Sequence, residues 1–544
     1  MKISKIALRS ILAGVGVVLA LSLFNASSRL YQSGKSFYEQ VRLFSTVMKQ
    51  INRDYVDETD TEILLENAIK GMVSKLDPHT TYYTSEQFDK WNQSYEGYSG
   101  IGITFDVIRN KITVMSVVEG GPSDKAGLLA GDRIVEIKGI SAIGLKEDEV
   151  PLLLMGPKGT QVDIRVERHG FKRLLPFTLY RDEVHVESIP YAFMMKPGVG
   201  YIRIIRFSAT TANELETGLT QLEKEGLRQL ILDLRGNGGG YLEAAVDVVD
   251  NFLPAGQKIV YTKGRIQNAF REFYSTNNHA HPLIPIIVLI DRATASASEI
   301  VAGALQDWDR ALIVGETSFG KGLVQSQYQF SDGSALLMTT AKYYTPSGRL
   351  IQRPYEDKSS DAYFSEVYDD DAYKQRQKNR TNGPIFHTNL LKREVRGGGG
   401  ITPDIFFDAS PDTLPGKIRE LVLSPKQLFF TFVEAYLQSK ATVPKDFNLF
   451  LRDYQPDSAC MKQFVQYVKS QHFPLSKDEY LNYQQDIRHI LKQSMAESIW
   501  GEVERYKIQM LRDRQLMEAV GHFDAAKLLL AQSYGYTVGV NSQR

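Results

Sequence analysis

Ser296 and Lys321 are the residues whose types and settings suit hydrolysis without a histidine. Ser296 lies in Ala293-Thr294-Ala295-Ser296-Ala297-Ser298-Glu299-Ile300, just after the apolar run Pro285-Ile286-Ile287-Val288-Leu289-Ile290. A serine among small residues at the end of a buried strand can present its hydroxyl to a substrate. Lys321 lies in the glycine-rich stretch Gly315-Glu316-Thr317-Ser318-Phe319-Gly320-Lys321-Gly322. Burial disfavours an ammonium, and the neutral amine that results can take the serine proton as imidazole does elsewhere. The run that follows, Val324 to Phe330, alternates as a strand does. If the extended chain begins at the lysine, Gln325 shares its face and could orient the amine.

Two glycine-rich turns invite other chemistry. Arg235-Gly236-Asn237-Gly238-Gly239-Gly240 follows the apolar strand Leu230 to Leu234 and precedes a helix, so its N–H groups can face an anion. The spacing is not that of a dinucleotide site, G-x-G-x-x-G, which leaves an oxyanion site or a simple tight turn. Gly315 to Gly322 reads G-x-x-x-x-G-K-G, one residue from a Walker A loop. Position 322 carries no hydroxyl for magnesium and a strand follows instead of a helix, both of which argue against nucleotide.

The 544 residues suffice for several domains, with 64 basic and 64 acidic side chains. That balance implies no attraction to nucleic acid. The single cysteine, Cys460, excludes an internal disulfide and a cysteine-rich zinc site. Lys2, Lys5 and Arg9 precede an uncharged stretch centred on Ile11 to Phe24, so residues 1–28 read as a signal peptide or membrane anchor. The protein is therefore expected outside the cytoplasm, periplasmic or anchored to the cytoplasmic membrane facing outward.

The expected class is multidomain α+β. Residues 36–95 carry helical spacing, interrupted at Leu76-Asp77-Pro78. Residues 97–182 alternate as short strands between glycine turns. Residues 183–408 alternate strand and helix, which predicts a largely parallel, doubly covered sheet with a polar surface insertion at about 355–396. Residues 410–544 read as a helical packing or assembly domain, with a capping box at Ser476-Lys477-Asp478-Glu479.

Taken in order, Leu76-Asp77-Pro78, the β-rich module, Asp233-Leu234-Arg235-Gly236-Asn237-Gly238-Gly239-Gly240, Ser296 to Ile300, Gly315 to Gly322, Tyr344-Thr345-Pro346-Ser347-Gly348 and Gly399-Gly400-Ile401-Thr402-Pro403-Asp404 resemble the C-terminal processing peptidases, or tail-specific proteases, over roughly residues 36–408. The resemblance implies an α/β core of the ClpP/crotonase kind. It implies Ser296 as nucleophile, Lys321 as base with Gln325 as its partner, and the backbone N–H groups of Gly239 and Ala297 as oxyanion donors, with Ser298 and Glu299 as helix caps. It implies that residues 97–182 are PDZ-like and that Gly100, Ile101, Gly102 and Ile103 hold the C-terminal carboxylate of an apolar tail. No metal or cofactor is implied. Met155 stands where the family often has an arginine, and Gly236 where it often has an asparagine. A homodimer through the N-terminal helices and an adaptor are further expected partners. The rival reading is an exported PDZ scaffold whose peptidase activity is latent or lost.

Overall fold

The computed structural model describes residues 37–535 apart from 119, 169–170, 185, 277–280, 282, 357, 380–382, 408–413, 415 and 440–442. The leader expected at 1–28 lies outside the described residues. The chain divides into two units at Leu76. In the first, helices span residues 37–54 and Thr61–Val73, and Asp60 caps the second by accepting the N–H groups of Glu62 and Ile63. Phe37, Phe44, Val47, Ile63 and Met72 are all exposed there. Among the described residues no helix is long and apolar enough to cross a membrane.

The second unit begins at Asp77, so residues 77–95 join it and not the N-terminal helices. Strand Thr81–Tyr83 pairs antiparallel with Ala335–Tyr344. Strands Ile103–Ile108, Lys111–Val117, Arg133–Ile137, Gln161–Glu167 and Leu175–Tyr180 then form an antiparallel sheet in that order. Its core includes Ile112, Ile134, Val150, Val162, Ile164 and Val166. Val162, Ile164 and Val166 are buried while Gln161, Asp163 and Arg165 are exposed, as period two requires of a one-sided sheet. Ile103–Ile108 is one of its two edge strands, a position at which an extended peptide can add. Arg181 occupies the space beside Gly156: its guanidinium donates to the carbonyls of Leu153 and Leu154, the last turn of helix Val150–Leu154. Met155 thus has a basic neighbour from elsewhere in the module.

The central sheet has six strands in the order Tyr191–Lys196, Val199–Arg203, Gln229–Asp233, Ile286–Ile290, Leu312–Gly315, Ile405–Phe406, all parallel after the first pair. Alternate residues feed two cores. Ile202, Leu230, Leu232, Val288 and Ile313 face helices Thr211–Lys224, Leu242–Asp250 and Ala297–Asp307. Tyr201, Ile231, Ile287, Leu289 and Val314 face the other way. The expected double cover is present, but its second layer comes from the end of the chain. Helices Glu502–Met510, Arg514–Val520 and Phe523–Tyr534 bury Tyr506, Met510, Leu516, Phe523 and Leu529 against that face. A fully buried side chain of this size contributes about 2 kcal/mol. The stretch from 410 therefore divides: residues 416–500 pack mainly on themselves around Phe432, Phe450, Phe464, Leu491 and Met495.

A third sheet, antiparallel, carries Leu323–Gln329, Ala335–Tyr344, Lys258–Gly264 and Arg271–Tyr274 together with Thr81–Tyr83. The insertion read as polar surface is anchored. Tyr363 and Val367 bury against Ala295 and Phe319, and the Arg353 guanidinium lies 3.7 Å from the Tyr363 ring centroid and 4.2 Å from that of Phe319.

Candidate active site

The serine stands where the central sheet ends. Strand Ile286–Ile290 runs into Asp291, whose carboxylate accepts the N–H groups of Gly236, Ala293 and Thr294. Ser296 follows with φ 56° and ψ −117°, a conformation outside the ordinary basins for a residue with a Cβ. Holding it costs of order 1–3 kcal/mol, which the buried helix Ala297–Asp307 behind it sustains. Helix and serine are tied to the glycine turn, because the carbonyl of Asn237 accepts from Ala295 N–H at 2.9 Å and from Ser298 Oγ at 3.0 Å. Ser298 thus links two loops and does more than cap a helix.

Gly239 lies against the serine. Its φ is 103°, and a Cβ built there would fall 2.7 Å from Ser296 Cβ and 3.0 Å from Ala297 N. Only glycine fits, for both reasons. Its N–H donates to Asn237 Oδ1 at 2.8 Å.

Lys321 arrives from the other sheet. Strand Leu323–Gln329 has a register shift between Val324 and Gln325, so the simple alternation read from sequence is interrupted. The pairing it suggested is present all the same: Lys321 Nζ donates to Gln325 Oε1 at 2.7 Å. The Gln325 amide group donates in turn to the carbonyl of His79. That second bond decides which end of the amide meets the lysine. Burial pushes the Lys321 ammonium down to about 8, with Asp77 and Glu299 pulling it back. Ser296, Lys321, Gln325 and Ala297 line one cavity of about 730 Å³. Its walls include Tyr241, Leu242 and Phe273 and, from the insertion, Phe364 and Tyr368.

Three neighbours of the site make contacts that the sequence reading did not foresee. Glu299 is fully buried. Its Oε2 accepts from the N–H of Ser296 at 2.9 Å and of Lys321 at 2.8 Å. Its Oε1 accepts from Gly320 N–H at 2.7 Å and Ser318 Oγ at 2.5 Å. All four partners are donors, so the geometry holds a carboxylate, although burial pushes the carboxyl up to about 7. The cap expected at Glu299 is there, with three further donors that only the fold supplies. Asp77 folds its own loop, accepting from the N–H groups of His79 and Thr80 and from Thr339 Oγ1. His79 is buried beside Lys321. Burial first, then the lysine charge, lowers it to about 3, so the ring is neutral, and Nε2 lies 3.2 Å from Tyr363 Oη. The Asp-Pro-His-Thr stretch was a local signal for these two; nothing local pointed to the reach of Glu299.

Gly100, Ile101, Gly102 and Ile103 are buried at the start of an edge strand of the β-rich module, and they do not line this cavity. The carbonyls of Ile101 and Gly102 accept from Ser123 and Val118 N–H.

Among the described residues no group of acidic, histidine or cysteine side chains is set to hold a metal. The arrangement is that of a serine-type peptidase carrying a PDZ domain. A profile described as peptidase family S41 matches residues 198–356, one for a PDZ domain matches 99–179, and one for the N-terminal domain of the activating protease CtpB matches 23–87. The chain is 38% identical over 343 residues to a carboxy-terminal-processing protease of Bartonella bacilliformis, covering 62% of this chain and 78% of that one. It is 34% identical over 342 residues to carboxy-terminal processing protease CtpA of Bacillus subtilis, covering 62% and 72%. Among solved structures, a photosystem II D1 C-terminal processing protease aligns at 27% identity with a TM-score of 0.34, over 71% of this chain and 97% of that one. The chain belongs to the carboxy-terminal processing protease family, and the resemblance drawn from its motifs is borne out.

Proposed function

We propose that this peptidase cleaves proteins outside the cytoplasm, near free apolar C-terminal tails that its PDZ domain selects. The observation that carries the reading is the Lys321 amine, held on Gln325 inside the cavity that Ser296 lines. Ser296 Oγ attacks the scissile carbonyl carbon and its proton passes to the neutral Lys321 amine. Negative charge gathers on the carbonyl oxygen, which Ala297 N–H and Gly239 N–H meet. The C–N bond then breaks, and the leaving nitrogen takes the proton from Lys321. Water, deprotonated by the same amine, hydrolyses the ester and restores Ser296. The tail's carboxylate is held at Gly100 to Ile103, its backbone paired with the free edge of Ile103–Ile108. Residues 1–28 serve as leader or anchor. The exposed apolar residues of the N-terminal helices suit a second copy of the chain, and the helical body 416–500 suits an adaptor.

The bond from Gly239 N–H to Asn237 Oδ1 favours a second reading, a peptidase latent until the turn lets that donor go. One experiment addresses both: cleavage of an unfolded reporter ending in a free apolar tail, against the same reporter with an amidated tail, by wild type and Lys321→Ala. Cleavage that needs the lysine and weakens with the amide supports the proposal. Binding without cleavage supports latency. Equal cleavage of both reporters overturns tail selection.

A further inference from the structure

We propose that Asp513 is a positioning residue for the turn 235–240, so that the C-terminal helices take part in catalysis and not only in covering the sheet. The inference rests on the Ser296–Lys321 reading above. Arg235 opens the turn, and its side chain is only 11% exposed. It donates through Nε and Nη2 to Asp233, through Nη1 and Nη2 to the Asp513 carboxylate at 3.1 and 2.7 Å, and through Nη1 to Gln515 Oε1 at 2.9 Å. Asp233 is fully buried and already accepts from Tyr201 Oη and from the Arg235 N–H. It has little capacity left to hold the guanidinium alone, and a buried cation short of acceptors moves toward water or takes its loop with it.

The turn offers little slack to absorb such a shift. Gly236 N–H is fixed on Asp291, the Asn237 carbonyl on Ala295 and Ser298, and Gly239 is in contact with Ser296. Asp513 is itself held, since it caps helix Arg514–Val520 by accepting Leu516 N–H at 2.9 Å, and Leu516 and Ala519 are buried against the sheet. A chain of fixed contacts thus joins tail packing to the oxyanion side of the serine.

The bland alternative is an ordinary docking ion pair. Glu502 supplies the control. It accepts from Tyr191 Oη at 2.7 Å and docks the same tail on the edge strand of the sheet, two strands over from Asp233. The experiment compares Asp513→Asn and Glu502→Gln in the full chain, measuring kcat, KM, affinity for a peptide aldehyde whose adduct carries the oxyanion, and amide exchange of residues 233–241 and 286–290. For Asp513→Asn we expect kcat and aldehyde affinity down about tenfold to a hundredfold, KM within about twofold, and faster exchange confined to 233–241. For Glu502→Gln we expect lowered melting temperature with kcat retained. Unchanged kcat and exchange in Asp513→Asn, or equal losses in both variants that track melting temperature, would overturn the proposal. If Asp513→Asn does not fold, Gln515→Leu is read by the same criteria. If wild type cuts nothing, the proposed function fails with the catalytic part of this one, while exchange still reads whether Asp513 holds the turn: faster exchange confined to 233–241 in Asp513→Asn supports it and unchanged exchange overturns it.

Discussion

The two halves of the site are built on different ground. Ser296 follows a strand buried on both faces and starts a helix whose residues are all buried. Lys321 precedes a bulged strand of a sheet that is open to the cleft. The first half fixes geometry by packing and tolerates a strained backbone. The second half tunes chemistry, because a lysine there is dry enough to lose its proton yet remains within reach of Gln325. Glu299 joins the halves through one oxygen that accepts both backbone N–H groups. The comparison teaches that Ser296 and Lys321 depend on each other's backbone before either touches substrate.

The largest effect expected is from Ser296→Ala, which removes the oxygen that the proposed mechanism uses to attack the carbonyl. Reporter cleavage should fall by at least about a thousandfold while melting temperature holds or rises, since alanine lacks the hydroxyl but keeps the backbone. Glu299→Gln tests the bridge. An amide cannot accept from all four donors, and each buried donor left unpaired costs about 1–3 kcal/mol. Both melting temperature and kcat should drop, the latter by about tenfold or more; a drop in only one of them would separate the halves again.

Next in size is the base. With Lys321 lowered to about 8, the active amine gains about tenfold per pH unit below that value, so kcat/KM should climb through pH 8 and level above it. A flat profile from pH 6 to 9, on the order of the range a folded chain tolerates, would remove the lysine from the base role. Gln325→Leu should lower the plateau and move the midpoint to lower pH, because the amide oxygen favours the ammonium over the amine. The smallest effect is expected from Tyr343→Phe. Its hydroxyl donates to the Ser296 carbonyl at 3.1 Å, and losing one such bond costs about 1 kcal/mol of stability with kcat changed only a few-fold.

Much of this was legible locally. Ser296, Lys321 and Gln325 lie within 30 residues of one another, among small residues and glycines that flank strands whose apolar pattern marks burial. That the polar surface insertion is also anchored was not legible, because Tyr363 and Val367 look like ordinary residues among charges until Phe319 and Arg353 arrive from elsewhere. Glu299 was legible as a cap, since that contact spans three residues; its contacts to Ser318, Gly320 and Lys321 cross 19 to 22 residues and depend on how two loops meet.

By itself the sequence determined the element types, the two-sided burial of the central strands and the residues able to do the chemistry, because periodicity, small residues and glycine conformations are local properties. Tertiary structure alone decided that the last helices form the second layer of the sheet, that Arg235 meets Asp513 across 278 residues, and that a buried carboxylate yokes serine to lysine. Those contacts come from packing distant segments into one interior. Burial, charge pairing and hydrogen-bond supply are settled there and nowhere earlier along the chain.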